Sequence, residues 1–202
     1  LGNFAKNIKD FNVVDSENNK MRFSKKTKDL WEVDCQKTDL FTVSYSYYAS
    51  ELNAGSTYLD QNQLYINPVN CMLYNSQDID LEYEIEFKLP LDYKIHTSLE
   101  NLGNNTLKAT NFDQLADSPI IASNSAQQRF LTINNVNFSF CFQGEVKVNW
   151  EKMLNDFTSF INYQINLFGS FPHKSFLFLF QITPVSSYHG VEHHHSTVIL
   201  LG

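Results

Sequence analysis

Apolar and charged residues alternate most regularly at Leu81–Leu89, where five apolar side chains are separated by four charged ones. Successive side chains of a β-strand point to opposite faces, so this pattern predicts a strand with one face on a core and the other in water. Three glutamates fall on the polar face. The alternation alone accounts for them, and we interpret them as a solvated surface, not as a metal or acid–base site.

The rest of the first 146 residues is also typical of β-structure. Residues 8–14 and 21–24 are predicted to form a hairpin, and residues 40–48 a further strand, because β-branched and aromatic residues are frequent there. A second hairpin is predicted at 130–142, with Asn134–Asn135 as a two-residue turn that tolerates positive φ. No long helix is predicted in this part of the chain.

The pattern changes at Asn149. Across Trp150–Phe168 apolar residues recur at steps of three and four, which predicts one amphipathic helix of about 19 residues. Asn149 is suited to cap the start of this helix and Gly169 to end it. Two strands are predicted to follow, a buried one at about 175–183 and a polar-to-apolar one at about 190–201.

These patterns predict a mainly β protein. Residues 1–146 are predicted to form a β-sandwich or saddle-like domain, and residues 147–202 a small α/β part. The net charge of −7 and the lack of a long Lys/Arg run argue against nucleic acid as a partner. No apolar run approaches the roughly 18–20 residues that a membrane span needs. The three cysteines are widely spaced and are interpreted as buried small hydrophobic residues.

Candidate chemistry is concentrated at residues 188–197, where one carboxylate lies among histidines. His189, Glu192 and His193 match the H-x-x-E-H zinc motif, but that motif requires a helix and the composition here favours a strand. The triple histidine also resembles a purification tag, although tags do not usually continue into an apolar strand. A third interpretation is an edge strand that faces a substrate.

Several stretches resemble the glycyl aminopeptidase family, family sixty-one of the metallopeptidases, which is of the gluzincin type. The similarity is seen in Phe168–Pro172, in Tyr188–His193 continuing through Ser196 and Thr197, and in Leu115–Ile120, which we otherwise interpret as part of an irregular polar loop. Asn3–Phe11 and Leu30–Val33 are also similar to pieces of the family's amino-terminal domain.

The resemblance implies an amino-terminal β domain followed by the start of a thermolysin-like catalytic domain. It implies that an edge strand pairs with the substrate backbone and that Glu192 holds the free α-ammonium group of a peptide. Gly190, Val191, His193 and Tyr188 are the other expected substrate-binding residues. The family commonly shows Y-G-G-L-E-H, whereas this sequence has histidine in place of the first glycine and valine in place of the leucine.

The family's catalytic H-E-x-x-H helix is absent from these 202 residues. The resemblance therefore implies an internal fragment that lacks the first strands of the β domain and stops before the zinc helix. The parent protein is expected to use zinc, with ligands outside the fragment, to remove small amino-terminal residues from peptides. No catalytic residue and no metal ligand are assigned within this chain. The sequence sets neither the oligomeric state nor a choice between a cytoplasmic and a periplasmic or secreted protein.

A non-catalytic β-sandwich binding module of a larger protein is the alternative. It accounts for the aromatic-rich strands and the Asn-rich turns of the first 146 residues. It does not account for the helix-strand-strand order of the last 56 or so residues, which is why the peptidase interpretation is preferred.

Overall fold

The computed structural model describes residues 3–35 and 40–202. The chain divides into two compact units, Leu1–Ser50 and Glu51–Gly202. Both are built mainly from β-strands, as the sequence predicts.

The described residues of the first unit contain a short 3-10 helix, Phe4–Asn7, and the strands β1 (Ile8–Asp15), β2 (Phe23–Lys25), β3 (Trp31–Val33) and β4 (Phe41–Tyr47). β1 pairs antiparallel with β4, and β2 pairs antiparallel with β3.

The predicted hairpin between residues 8–14 and 21–24 was wrong. The Asp15 carboxylate accepts hydrogen bonds from the backbone amides of Glu17 and Asn19, both at 2.9 Å, so the expected turn does form. Beyond it the chain meets β1 through an isolated bridge between Val14 and Lys20. The return strand, β2, pairs with β3 instead, and β1 pairs with β4, which is distant in sequence.

The second unit contains three helices and twelve strands, with every residue from 51 onward described. The helices are α1 (Pro68–Cys71), α2 (Phe112–Ala116) and α3 (Trp150–Phe168). The strands are β5 (Tyr58–Leu59), β6 (Gln63–Ile66), β7 (Tyr83–Glu86), β8 (Lys94–Thr97), β9 (Glu100–Gly103), β10 (Thr106–Ala109), β11 (Ile120–Ser123), β12 (Gln127–Ile133), β13 (Val136–Gln143), β14 (Ser175–Ile182), β15 (Tyr188–Glu192) and β16 (Ser196–Leu201). They form three sheets, with strand orders β7-β10-β9, β5-β6-β11-β8 and β12-β13-β14-β16-β15.

The alternating stretch at Leu81–Leu89 forms β7, which is shorter than the pattern. Its two faces are as predicted, because Tyr83 and Ile85 are half-buried while Glu84 and Glu86 are exposed. These apolar side chains pack on a core that includes the buried residues Leu107 and Phe112.

The predicted turn and helix are both confirmed. β12 and β13 pair antiparallel around Asn134 and Asn135, whose φ angles are 49° and 63°. The helix α3 begins after Asn149, whose side-chain oxygen accepts the Lys152 amide at 3.1 Å, and it ends at Gly169, where φ is 87°. Local signals set both features: an asparagine pair suits positive φ, and glycine suits the end of a helix.

The five-stranded sheet carries the candidate site. β14 pairs in parallel with both β13 and β16, so it is the buried central strand that the sequence predicts. The helix α3 connects β13 to β14 and packs Ile161 and Ile165 against Phe140, Phe178 and Phe180. The sheet takes strands from both sides of the predicted domain boundary at residue 146, and that boundary stays a prediction.

The prediction of one continuous strand at 190–201 was wrong. The chain reverses between β15 and β16, which pair antiparallel with Glu192 opposite Thr197. Neither glycine, proline nor an asparagine pair marks this reversal in the sequence, and a histidine run between β-rich flanks follows the period of a strand. The turn is instead bonded to Asp117, which is distant in sequence.

Two further expectations are corrected. Residues 111–120 are ordered and not irregular: the Asn111 side chain caps α2, Leu115 is buried, and Ile120 begins the buried strand β11. Cys71 and Cys141 are buried as predicted, whereas Cys35 is exposed.

Among the described residues, none of the helices combines the length and apolar character that a membrane crossing requires.

Candidate functional site

The strand β15 is an edge strand, and its hydrogen bonds follow a fixed alternation. At one end the His193 amide donates to the Ser196 carbonyl at 2.9 Å, and at the other the Gly202 amide donates to the Ser187 carbonyl at 2.9 Å. In an antiparallel pair, residues that exchange both backbone bonds alternate with residues whose amide and carbonyl point away from the partner strand. The backbone amides and carbonyls at the odd-numbered positions of β15 therefore point toward β16.

The even-numbered positions, Tyr188, Gly190 and Glu192, consequently direct their amides and carbonyls to the open edge of the sheet. All three residues are exposed, and Tyr188 is 90% exposed. A second extended chain would find a row of donors and acceptors at these positions, which is the requirement for β-strand addition.

The side chains of β15 divide between its two faces. Val191 is half-buried and packs against a core that includes Leu179 and Val198. Glu192 lies on the opposite, exposed face. Gly190 is also on that face, and a Cβ built on it would meet only the Val198 carbonyl oxygen at 3.8 Å, an ordinary contact. The backbone thus has no need of glycine here, and its effect is to leave the face beside Glu192 open.

The turn after β15 is held by Asp117, which follows α2. Its Oδ1 atom accepts a hydrogen bond from His193 Nδ1 at 2.8 Å, and its Oδ2 atom accepts one from the His194 amide at 2.7 Å. The His193 side chain is only 5% exposed, while that of Asp117 is 45% exposed. Since an ionised carboxylate is only an acceptor, the proton lies on His193 Nδ1. Glu192 is thus followed directly by a histidine that is fixed in place.

A second set of histidines surrounds this turn, and we call it the histidine cluster: His173, His194 and His195. One ligand nitrogen from each lies within 4.8 Å of the others. The two ring centroids nearest to each other, those of His173 and His195, are 4.1 Å apart. Burial and the neighbouring histidines lower the pKa of His173, and burial and His194 lower the pKa of His195.

The inverted zinc motif at His189, Glu192 and His193 does not form a helix. It lies on β15 and the turn that follows, and the His193 ring is bonded to Asp117. In the described part of the chain, the grouping of possible metal ligands is the histidine cluster and does not include these three residues. The family's zinc motif H-E-x-x-H is also absent from the 202 residues, so no step of catalysis through zinc can be assigned to them.

The structure shows two relationships that the sequence did not predict. The Leu115–Ile120 resemblance includes Asp117 without giving it a role, yet its carboxylate is bonded to the turn after Glu192. His173 lies outside every motif of the sequence and joins the cluster through the fold. The family resemblance is the sequence signal that points to Asp117. Two of the stretches that carry the resemblance, Leu115–Ile120 and Tyr188–His193, meet at the Asp117–His193 bond.

Structural comparison gives the fold. An aminopeptidase N family protein from Idiomarina loihiensis matches 98% of this chain with a TM-score of 0.90 at 24% identity. An M1 zinc metallopeptidase from Deinococcus radiodurans matches 96% of it with a TM-score of 0.51 at 12% identity. This chain spans 34% of the first structure and 50% of the second.

The sequence comparisons give the family. No curated protein matches the sequence. The family model of the peptidase M61 N-terminal domain matches residues 1–124, which is more than half of the chain. The chain therefore belongs to the peptidase M61 family and contains its N-terminal domain.

Proposed function

We propose that this chain is part of a zinc-dependent glycyl aminopeptidase that removes small amino-terminal residues from peptides. In this proposal residues 1–146 form the amino-terminal β domain, and residues 147–202 begin the catalytic domain. The observation that carries the proposal is the open edge of β15, where Gly190 and Glu192 direct their backbone groups outward beside an exposed carboxylate.

The substrate backbone pairs with this edge. An extended peptide that adds to β15 forms hydrogen bonds with the outward amides and carbonyls, and these bonds do not depend on the substrate's sequence. Gly190 leaves room for the peptide to approach, while Tyr188 offers an exposed aromatic surface further along the strand. Val191 holds the strand to the core from the other face.

Glu192 selects the end of the peptide. A carboxylate forms a strong, charge-assisted hydrogen bond with an ammonium group, and an unblocked peptide has an α-ammonium group only at its first residue. Within the described residues no ion pair occupies Glu192, so its charge is available to a ligand. This contact sets the register of the bound peptide, and the enzyme is then an exopeptidase.

His193 acts as a positioning residue in this proposal. Its ring is buried against Asp117, so it is not presented to the substrate. The bond fixes the backbone immediately after Glu192, so the residue that carries the carboxylate is held in position before the substrate binds. The metal and its ligands belong to the rest of the parent protein, where bound zinc would polarise the scissile carbonyl group.

The test is a comparison of Glu192→Gln with wild type in the full-length parent protein. On a glycyl substrate with a free amine, kcat/KM is expected to fall by roughly 30- to 900-fold, which corresponds to about 2–4 kcal/mol for loss of a charged partner in a closed site. Glu84→Gln, which changes an exposed strand glutamate in another sheet, is the matched control and is expected to stay within about twofold.

An amino-terminally blocked version of the same substrate is expected to be poor for both forms. If wild type and Glu192→Gln cleave the free-amine substrate equally well, the amine is anchored elsewhere and this role of Glu192 is wrong. If the full-length parent cleaves no aminopeptidase substrate, the binding-module alternative replaces the peptidase.

A further inference from the structure

We propose that the histidine cluster, His173, His194 and His195, binds a divalent transition-metal ion of the Zn²⁺ class. One nitrogen from each side chain lies within 4.8 Å of the other two. The ring centroid of His194 lies 4.6 Å from that of His173 and 4.6 Å from that of His195. The proposal does not rest on the peptidase function, because it concerns binding by this chain's own residues.

The backbone that carries the cluster is already held in place. The His195 carbonyl accepts a hydrogen bond from the Leu177 amide at 3.1 Å, which fixes the turn to the start of β14. The His194 amide is bonded to Asp117 at 2.7 Å. Next to His173, the Lys174 carbonyl accepts a hydrogen bond from the Asn137 amide at 2.9 Å. A metal ion would therefore need only side-chain rotation to bring the three rings together.

The distances are compatible with such a rotation. Zinc–nitrogen bonds of 2.0–2.1 Å in a tetrahedral site place two ligand nitrogens roughly 3.3 Å apart. The observed upper limit of 4.8 Å is longer by about 1.5 Å, which rotation about the histidine χ angles can supply. Three imidazoles leave a fourth position for water, and neutral imidazole nitrogen favours Zn²⁺, Cu²⁺ or Ni²⁺ over Mg²⁺ or Ca²⁺.

The electrostatic setting agrees with this geometry. A metal ion binds the neutral form of histidine, and the pKa values of His173 and His195 are lowered by burial and by the adjacent imidazoles. A lowered pKa favours the neutral, metal-binding form of these two rings. The Asp117 carboxylate, which acts on His195 through its charge, adds a negative group close to the cation.

Occupation of the site would join two segments of the chain. His173 precedes β14, whereas the other two histidines form the turn directly after Glu192. A metal ion bound to all three would fasten this turn to the base of the central strand. The expected result is a more stable β15–β16 hairpin in the loaded protein.

Metal titration of the purified, metal-free 202-residue chain tests the proposal. Calorimetry with Zn²⁺, and the visible absorption of added Co²⁺, are expected to show one saturable equivalent, whereas Mg²⁺ gives none. His173→Ala, His194→Ala and His195→Ala are each expected to weaken Zn²⁺ binding at least tenfold. His189→Ala, which removes an exposed histidine from the same hairpin but outside the cluster, is the matched control and is expected to change it less than twofold.

Circular dichroism of the metal-free variants shows whether each is folded, and His173→Asn replaces any alanine variant of that residue that is not. Histidine side-chain NMR of the wild-type chain gives a second readout, in which Zn²⁺ is expected to shift the ring nitrogens of the three cluster residues. Failure to reach one saturable equivalent, equal affinity in all variants, or loss of binding through His189→Ala would each overturn the proposal.

Discussion

Asp117 and His193 are joined by a 2.8 Å hydrogen bond although 76 positions separate them in the chain. The same carboxylate also accepts a hydrogen bond from the amide of His194, so one side chain holds two consecutive residues of the β15–β16 turn. The contact links a loop of the M61 N-terminal domain match, residues 1–124, to the strand that carries Glu192. The candidate site therefore depends on a residue that would not be found by inspecting the strand itself.

Removal of the Asp117 carboxylate should destabilise the chain. Asp117→Ala leaves the buried His193 Nδ1–H without its acceptor, and an unsatisfied buried donor costs about 1–3 kcal/mol. Urea denaturation of both forms measures the change in the free energy of unfolding. Asp80→Ala, at a surface-exposed position, is the control and is expected to change the free energy of unfolding by less than about 0.5 kcal/mol. Equal stability of wild type and Asp117→Ala would mean that the contact contributes nothing in solution.

Gly190→Val is expected to weaken peptide binding without lowering the stability of the chain. A Cβ at this position makes only an ordinary contact, and valine suits a strand better than glycine, so the free energy of unfolding is expected to stay the same or to rise by up to about 1 kcal/mol. In the full-length parent protein the added side chain crowds the open face, so KM for a glycyl peptide is expected to rise several-fold. Steady-state kinetics measures this, and an unchanged KM would argue against peptide binding at β15.

Gly144→Ala, unlike Gly190→Val, is expected to destabilise the chain. Gly144 has a φ of 112°, and a Cβ there would collide with the Ile182 backbone carbonyl. The substitution is expected to cost about 1–3 kcal/mol or more in the free energy of unfolding, measured by urea denaturation. A small effect would show that the loop after β13 can move to accept a side chain.

The pH dependence of stability should include a contribution from His96. Burial lowers the pKa of this side chain, and its Nδ1 atom lies 3.0 Å from Gln128 Oε1. Because its folded-state pKa is below the unfolded value of about 6.5, the unfolded chain takes up a proton first as the pH falls. The folded state is therefore weakened as the pH falls through about 6.5 and below.

Urea denaturation at pH 7.5 and pH 5.5 tests this prediction. Wild type is expected to lose more stability between the two values than His96→Gln, which cannot titrate. The comparison removes the contribution of other groups, including His173 and His195, because both proteins share them. An equal loss in both proteins would show that His96 is not buried in the neutral form.

The 202-residue chain is expected to have no aminopeptidase turnover, even with added Zn²⁺, because H-E-x-x-H is not in its sequence. A fluorogenic glycyl substrate provides the measurement, with the full-length parent as the positive control. Turnover by the purified chain would overturn the proposal that the catalytic residues lie outside it.

Features with local signals were predictable from the sequence. The helix α3 has its cap, its apolar stripe and its terminal glycine within one continuous stretch, and the Asn134–Asn135 turn needs only two residues that accept positive φ. The edge position of Glu192 followed from a family resemblance, and the structure places this residue at the exposed end of β15.

Features that depend on distant partners were not predictable. β1 pairs with β4, which is distant in sequence, and the β15–β16 turn is bonded to Asp117, so both features include a long-range contact that no local pattern predicts. The histidine cluster has the same origin, because His173 meets the other two members only through the parallel pairing of β14 with β16.

The alternation of backbone groups along β15 also has a consequence for amide hydrogen exchange. The amides of His189 and Val191 are bonded to β16 and should exchange slowly, whereas those of Tyr188, Gly190 and Glu192 face solvent and should exchange rapidly. A peptide added to the edge would protect the second set and leave the first unchanged. The exchange rates of alternate amides in β15 would therefore report whether a peptide is bound at the edge.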